Sequence, residues 1–426
     1  MKRVVILCVW LFSVVAGYAQ LSLDECRRLA RENYPEIRQY DLVHQTEQYN
    51  LSNAARAWIP QLAFSAQATW QTDAPNFPKE LTGMLAQQGL EIPGLRKDQY
   101  KVALELNQTI WDGGKSVADK RIARAEAAEQ KTMTDVDLYE LESRVDDLYF
   151  GILLLDERIA QTNLTLNLLR SNLEKVRALQ RNGVAMQSDA DVLEAELLSV
   201  GQQLIQFESS CDSYRRMLGI FIGQKVGDRK LQRPSAVQPL SGESARPELA
   251  MFAAKIDRLT AQEKMVKSSS MPRLGFFAQG YYGYPGLDYM QSMMNSDWSW
   301  NAMFGVKLSW NFGAYYTQKN NLNKLRISRQ QVEVQRDVFL FNMNLQAAQE
   351  NGDIARLRKA IADDDRIVAL RRSVREAAES KLRNGIIDTH DLLSKITDES
   401  TASMARSMRE IELLKAIYEY KHTINR

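Results

Sequence analysis

The sequence predicts a mostly α-helical protein with membrane β-strands. Long antiparallel coiled-coil helices should form an α-helical barrel, and four strands per chain should contribute to a trimeric 12-stranded β-barrel. Three observations indicate this class: an internal repeat, four strand segments of bilayer length, and helical segments too long for an ordinary globular domain.

The repeat consists of four short landmarks that occur twice in the same order, about 200 residues apart. The interval from Pro35 to Pro60 is 25 residues, and the interval from Pro247 to Pro272 is also 25 residues. Two halves with the same landmarks should share one structure. The matching segments are 33–37 and 245–249, 59–62 and 271–274, 111–114 and 310–313, and 181–184 and 383–386.

The chain therefore divides into a first repeat, 20–223, a polar linker, 224–244, and a second repeat, 245–426. Residues 1–19 have the features of a secretory signal peptide: a positively charged start, a short apolar stretch, and small residues at the −3 and −1 positions. The net charge of +2 gives no reason to expect a nucleic-acid partner. After cleavage only Cys26 and Cys211 would remain, so a disulfide framework is not expected.

Four segments alternate apolar and polar residues with a period of two, as strands with one apolar face do. The first of them places Leu62, Phe64 and Trp70 on one side of the chain. Each segment has roughly the ~9–11 residues that a tilted strand needs to cross a bilayer. The predicted strands are about 60–73, 99–111, 272–282 and 300–311.

Aromatic residues cluster at the ends of these strands, where the interfacial girdles of an outer-membrane barrel lie. Five of the seven tryptophans are there: Trp70, Trp111, Trp298, Trp300 and Trp310. Four strands are too few to enclose an open lumen, so several chains must pool their strands. Three chains would supply twelve strands and twelve helical rods.

Helical segments occupy most of the remaining sequence. A first helix is expected from Leu21 to Trp58, with Ser22 as its N-cap. The segment 115–181 contains no proline, and its apolar residues from Leu141 to Val176 follow a heptad pattern. A helix of 67 residues would be ~100 Å long. The remaining helices are expected at 188–222, 314–383 and 388–424, with a shorter one before the third strand.

No arrangement of a nucleophile, a base and an orienting group is visible, so the sequence does not predict an enzyme. Gly114–Lys115–Ser116 lacks the leading glycine of a phosphate-binding loop. The histidines His44, His390 and His422 have no metal-ligand spacing. We therefore expect no catalytic, cofactor or metal site.

In order and duplication, these landmarks resemble the TolC-type outer-membrane efflux proteins along almost the whole mature chain. The resemblance is carried by the Pro-x-Leu strand openings at Pro60 and Pro272, the aromatic-x-x-Gly strand exits at 111–114 and 310–313, and the Asn-Gly turns that follow each long helix. It implies a homotrimer that spans the outer membrane as one β-barrel and extends into the periplasm as an α-helical tunnel. The implied partners are outer-membrane lipid, a periplasmic adaptor, and an inner-membrane efflux pump or ABC transporter.

The implied function is a passive conduit that carries small molecules or proteins to the exterior. The alternative is a soluble periplasmic coiled-coil adaptor or structural protein, but such a protein has no need for four aromatic-flanked strands with an apolar face. Whether the cargo is a drug, a metal ion or a protein stays open.

The Asn-Gly turns should lie at the periplasmic tip, where a ring of acids could narrow the mouth. The gate candidates are Asp391 first, then Asp388, Asp189 and Asp191. Asp189 and Asp388 could instead serve only as helix caps. Candidates for ion pairs or adaptor docking at the tip are Arg181, Asn182, Gly183, Arg383, Asn384, Gly385 and Lys395.

The two tips differ. The first turn is two residues longer than the second, which leaves open whether Asp189 or Asp191 corresponds to the acid of the family. Ser394 stands where family members often have a second acid. These differences suggest that the two tips have unequal roles.

Overall fold

The computed structural model describes residues 20–89, 92–235, 244–384 and 386–425. The predicted signal peptide, the linker residues 236–243 and Gly385 lie outside the described residues. Contacts divide the chain into two compact units. The helical unit contains the residues up to Tyr40, Lys131–Met251 and the residues from Val334 onward, and the sheet unit contains Asp41–Gln130 and Phe252–Glu333.

The described residues form nine α-helices and four β-strands. The helices are α1 (Leu23–Asn33), α2 (Gln39–Arg56), α3 (Lys79–Gln87), α4 (Lys115–Arg181), α5 (Gln187–Ile222), α6 (Pro247–Ser268), α7 (Tyr289–Met294), α8 (Gly313–Arg383) and α9 (Thr389–Ile424). The strands are β1 (Gln61–Trp70), β2 (Asp98–Trp111), β3 (Arg273–Tyr284) and β4 (Ser299–Ser309). None of the helices in the described ranges is long and apolar enough to span a bilayer.

The first helix differs from the sequence prediction. Oγ of Ser22 accepts a hydrogen bond from the backbone N–H of Glu25, as expected of an N-cap. The helix does not continue to Trp58, however, because Tyr34 adopts an extended conformation before Pro35. A proline disfavours the helical conformation of the preceding residue, and it has no N–H to donate. A short 3₁₀ turn, Pro35–Arg38, therefore separates α1 from α2.

The sheet has the order β1-β2-β3-β4, and every neighbouring pair is antiparallel. Its register aligns Leu62 with Leu106, Ala278 and Phe304 across the four strands. This row belongs to an apolar face whose large side chains are exposed, among them Phe304, 79% accessible. Within the described chain, β1 and β4 each have one edge without a strand partner. Helices α3 and α7 lie in the two hairpin loops, where no helix was predicted.

The helical unit has two main apolar clusters along α4. The first surrounds Tyr149 and Phe150, and the second contains Leu173, Leu193 and Leu392. The predicted heptad residues of α4 contribute to both clusters. Thr162, where the heptad pattern breaks, is also buried, and its hydroxyl has no hydrogen-bond partner among the described residues.

The described part of the linker packs onto the start of the chain. Leu231 forms an isolated parallel bridge with Leu21. Oη of Tyr149 donates to the carbonyl oxygens of Leu21 and Gln232, at 2.8 and 2.6 Å. The segment is thus fixed by backbone contacts rather than acting as a free spacer.

Cys26 and Cys211, the two cysteines among the described residues, are buried and form no disulfide there. Burial raises the pKa of Cys26 to about 12, and burial also raises the pKa of Cys211. Both side chains are therefore neutral thiols at physiological pH, and they pack as small apolar groups in the first cluster.

Candidate functional site

The two turns that join the long helices to the return helices hold the predicted tip residues. In the first turn, the N–H of Gly183 donates to the carbonyl of Gln180, and the N–H of Val184 donates to that of Leu179. Gly183 has φ +73°, a conformation that residues with a Cβ rarely adopt. This bonding satisfies carbonyls at the end of α4 and reverses the chain, as the Asn-Gly sequence predicts.

The first-turn acids are engaged in local hydrogen bonds. Oδ2 of Asp189 accepts from the backbone N–H of Met186 at 2.8 Å, so Asp189 occupies the third helical position rather than the N-cap. Oδ1 of Asp191 accepts from Nε2 of Gln187 at 2.7 Å. Both contacts stabilise the first turn of α5.

The two acids of the second turn differ in their hydrogen bonding. Asp388 is the N-cap of α9, and its Oδ1 accepts from the N–H of Asp391 at 2.8 Å. The Asp391 carboxylate is exposed, and it makes no hydrogen bond or ion pair with the described residues. Asp391 is therefore the gate candidate whose charge is not already used within the chain.

The basic residues predicted for the tip have no ionic partner within the described ranges. Arg181, Arg383 and Lys395 form no ion pair with described residues. The ion pairs lie further from the turns: Arg177 contacts Glu194 at 2.7 Å, and Lys175 contacts Glu379 at 3.6 Å.

The Lys175 contact is part of a network that joins three helices. Arg375 of α8 bonds Glu379 on its own helix and Glu399 on α9, while Glu379 also meets Lys175 on α4. Burial lowers the pKa of Arg375, but its bonds to the two glutamates outweigh that effect and raise it. The guanidinium therefore stays charged. Sequence reasoning missed this network, although the spacing of Arg375 and Glu379 is that of a helical ion pair.

Apolar side chains are exposed at both of these turns. Val184 and Met186 in the first turn and Ile386 in the second are all more than two-thirds accessible to solvent. In the sequence, Val184 and Ile386 could have been noticed because each directly follows an Asn-Gly pair.

The five tryptophans named above are exposed at the ends of the sheet or beside it. Trp298 stacks on Tyr100 with ring centroids 5.8 Å apart. Nε1 of Trp310 donates to the carbonyl of Ser270 at 3.0 Å. Exposed indoles with a fixed orientation suit the boundary between lipid and water.

A family model described as outer membrane efflux protein matches residues 27–223. The match covers less than half of the chain, so it shows a likeness to outer membrane efflux proteins over that segment. The matched segment is nearly the whole first repeat, which supports the resemblance stated from the sequence. No curated protein sequence matches the chain.

Solved structures of outer-membrane proteins share the fold of this chain. The outer-membrane channel OprN has a TM-score of 0.69 at 14% identity, with 94% of this chain and 89% of that chain covered. The outer membrane protein VceC of Vibrio cholerae has a TM-score of 0.68 at 14% identity, covering 94% and 95%. The CmeC outer membrane channel of Campylobacter jejuni has a TM-score of 0.65 at 14% identity, covering 94% and 85%.

At 14% identity these likenesses show the fold of the chain. The predicted fold class, long coiled-coil helices with a four-stranded antiparallel sheet, is confirmed.

Proposed function

We propose that this protein is an efflux channel of the Gram-negative outer membrane with an extension into the periplasm, and that it acts as a homotrimer and a passive conduit. It would carry small molecules or proteins from a periplasmic adaptor and an inner-membrane efflux pump or ABC transporter to the exterior. The two repeats, 20–223 and 245–426, would each supply two barrel strands and two rods. The observation that carries the proposal is that a single chain leaves both the sheet and the helices incomplete.

The incomplete sheet supports pooling of strands. An open edge leaves backbone N–H and C=O groups unpaired, which a bilayer does not tolerate. The edges of β1 and β4 are open in the described chain, and the apolar face between them is exposed. Pairing β4 of one copy with β1 of the next would close a barrel from three copies and turn the apolar face toward lipid.

The helices support the same assembly. On α8, four apolar residues follow the four-three-four spacing of a coiled-coil seam: Val334, Val338, Phe341 and Leu345. They are 53–67% exposed in the single chain. We name these four residues the α8 seam. A seam of this length requires a partner helix, and Leu198 and Ile205 of α5, seven residues apart and also exposed, offer a matching surface on a second copy.

The test of the proposal is fractionation of an expressing Gram-negative host. The mature protein should appear in the outer-membrane fraction as a trimer that becomes monomeric on boiling, and mild crosslinking should recover an adaptor. Purified trimers should open pores in planar bilayers. A soluble monomer without pore activity would refute the conduit and favour the adaptor alternative.

For the gate, we propose that three copies of Asp391 form an acidic ring at the periplasmic mouth. This role is supported by the absence of a described partner for its carboxylate. Asp388, Asp189 and Asp191 would mainly stabilise the turns that hold the ring. Adaptor docking would use the adjacent tip residues Arg181, Asn182, Gly183, Arg383, Asn384, Gly385 and Lys395, together with the exposed apolar side chains of the two turns.

Asp391→Ala should reduce the cation preference of the pore and weaken its block by hexamminecobalt(III) by about tenfold, because three carboxylates leave the mouth. The measurement is single-channel recording in planar bilayers. Asp363→Ala is a matched control, since Asp363 is an exposed acid of α8 away from the turn. Unchanged block and selectivity in Asp391→Ala would show that Asp391 is not at the constriction.

A further inference from the structure

The polar face of the sheet carries a hollow of about 590 Å³ at the end where the helices begin. Its lining includes the side chains of Arg273 on β3 and Lys307 on β4, together with three carboxylates. If the apolar face meets lipid, this hollow faces the lumen of the barrel. The inference that follows rests on the proposed trimeric conduit and concerns its cargo.

The three carboxylates of the hollow are already engaged. Asp119 pairs with Lys115 at 2.7 Å. Asp112 accepts from the backbone N–H groups of Gly114 and Ser116, at 2.9 and 2.7 Å, where α4 starts. Helix N-termini favour such a negative charge. Neither carboxylate is left to neutralise a further cation.

The third carboxylate, Glu105, belongs to a bridged charge pair. Nζ of Lys101 donates to Oε1 of Gln279 at 3.0 Å, and Nε2 of Gln279 donates to Oε1 of Glu105. The glutamine amide thereby links one positive and one negative side chain. This set is close to neutral as a whole.

Arg273 and Lys307 have no such partners. Both side chains are exposed, and neither makes a hydrogen bond or ion pair with any residue in the described ranges. Arg273 pairs with Ser309 and Lys307 with Gly275, so the two cations are diagonal neighbours on one face. Diagonal residues on adjacent strands lie ~7–8 Å apart at their Cα atoms, close enough for both side chains to reach one anionic group.

Assembly would not neutralise this pair. In the proposed barrel, β4 meets β1 of a second copy, and the β1 sequence, 61–70, contains no charged residue. Six uncompensated positive charges would then form a belt at the helix-side end of the lumen. Rings of arginine and lysine are the lining that anion-conducting pores use.

An aromatic surface lies beside the cations on the same face. Phe277 is paired with Gly305, and a Cβ built on Gly305 would come within 3.0 Å of the Phe277 ring. The ring therefore lies over the bare backbone of β4, and the missing side chain makes room for it. Met303, two residues before Gly305 on β4 and therefore on the same face, is 40% exposed. Both residues line the hollow.

We propose that Arg273, Lys307 and Phe277 form a lumenal contact site for amphipathic organic anions. The anionic head would bind the two cations, and the apolar ring system of the cargo would pack on Phe277 and Met303. The site would favour export of such anions over inorganic anions of the same charge.

The test uses purified full-length trimers in planar bilayers, with sodium naphthalene-1-sulfonate and sodium sulfate as probes. Naphthalene-1-sulfonate should interrupt the current at lower concentration than sulfate. Arg273→Gln/Lys307→Gln should weaken its block by about tenfold and lower the anion permeability of the pore. Gly305→Ala should displace the Phe277 ring and weaken block by naphthalene-1-sulfonate but not by sulfate.

The matched control is Lys79→Gln/Lys97→Gln, which removes two positive charges from the loop between β1 and β2. It should leave block by naphthalene-1-sulfonate and by sulfate unchanged. If the double glutamine variant does not assemble, the single variants should each weaken block by about threefold, and Arg273→Lys/Lys307→Arg should retain it. If all variants form pores and both anions block them as they block the unmodified protein, the proposed anion site is wrong and the proposed conduit is unaffected. Absence of pores in the unmodified protein would overturn the proposed conduit.

Discussion

Replacing Arg27 by alanine should lower the free energy of unfolding by about 3–5 kcal/mol, because it leaves a buried carboxylate without its partner. Nε of Arg27 donates to Oδ1 of Asp146 at 2.7 Å, and a second nitrogen contacts Oδ2. Asp146 is only 6% exposed. Chemical denaturation followed by circular dichroism measures the loss. The bidentate contact fixes α1 onto α4 within the helical unit.

This loss should depend on pH. Burial raises the pKa of Asp146, and the hydrogen bond from Arg27 opposes that rise. Without Arg27 the folded-state pKa should rise further above the unfolded value. A group with a raised folded-state pKa contributes its stability at low pH and loses it as the pH rises through that pKa. The variant should therefore be least stable relative to the native protein at neutral pH and recover part of the difference in acid.

Two controls separate the buried pair from a general effect of charge. Arg28→Ala, on the same helix, breaks an exposed pair with Glu32 and should cost about 0–1 kcal/mol. Arg27→Ala/Asp146→Leu removes both charges and should cost less than Arg27→Ala alone. Equal losses for Arg27→Ala and Arg28→Ala would contradict the role assigned to the buried pair.

Phe341→Glu should prevent trimer assembly while leaving the single chain folded. Phe341 lies in the α8 seam and is 67% exposed in one chain, so its replacement removes no intrachain core. At an interface it would bury a large apolar surface, and a glutamate there would place an unpaired charge in each of three contacts. Native mass spectrometry in detergent should show a monomer in place of a trimer, with unchanged helical circular dichroism.

The matched control for this variant is Gln335→Glu. It adds the same charge to the same helix, about 100° around the axis from Val334, at an exposed position that flanks the α8 seam and is not part of it. It should leave the trimer intact. A stable Phe341→Glu trimer with pore activity would show that the seam does not join subunits.

The long helices and the strands could be predicted because their apolar residues recur with periods of 3.5 and 2, and these periods are visible in short stretches of sequence. The interruption at Tyr34–Pro35 was equally local and was overlooked, although proline disfavours helix at the residue before it. The loop helix α7 has only six residues, too few to display a period. The start of α9 at Asp388 followed from ordinary capping rules.

The contacts that define the sites could not be predicted in the same way. The network of Lys175, Glu379 and Glu399 joins residues on three helices, and the contact from α4 to α8 spans about 200 positions. The diagonal placement of Arg273 and Lys307 depends on the register between β3 and β4. The alternation of apolar and polar residues within a single strand does not specify that register. The sequence already ranked Asp391 first among the acids, and the structure adds that its exposed carboxylate has no partner among the described residues.

The open edges of the sheet have a consequence for the chain before it assembles. Strand β1, with the sequence QLAFSAQATW, has no charge and no proline, and its outer edge is unpaired. Such strands recruit any other extended chain, and so they are the segments from which cross-β aggregates grow. If the chain assembles in the outer membrane as proposed, we expect a holding chaperone to shield this edge until other copies of the chain cover it.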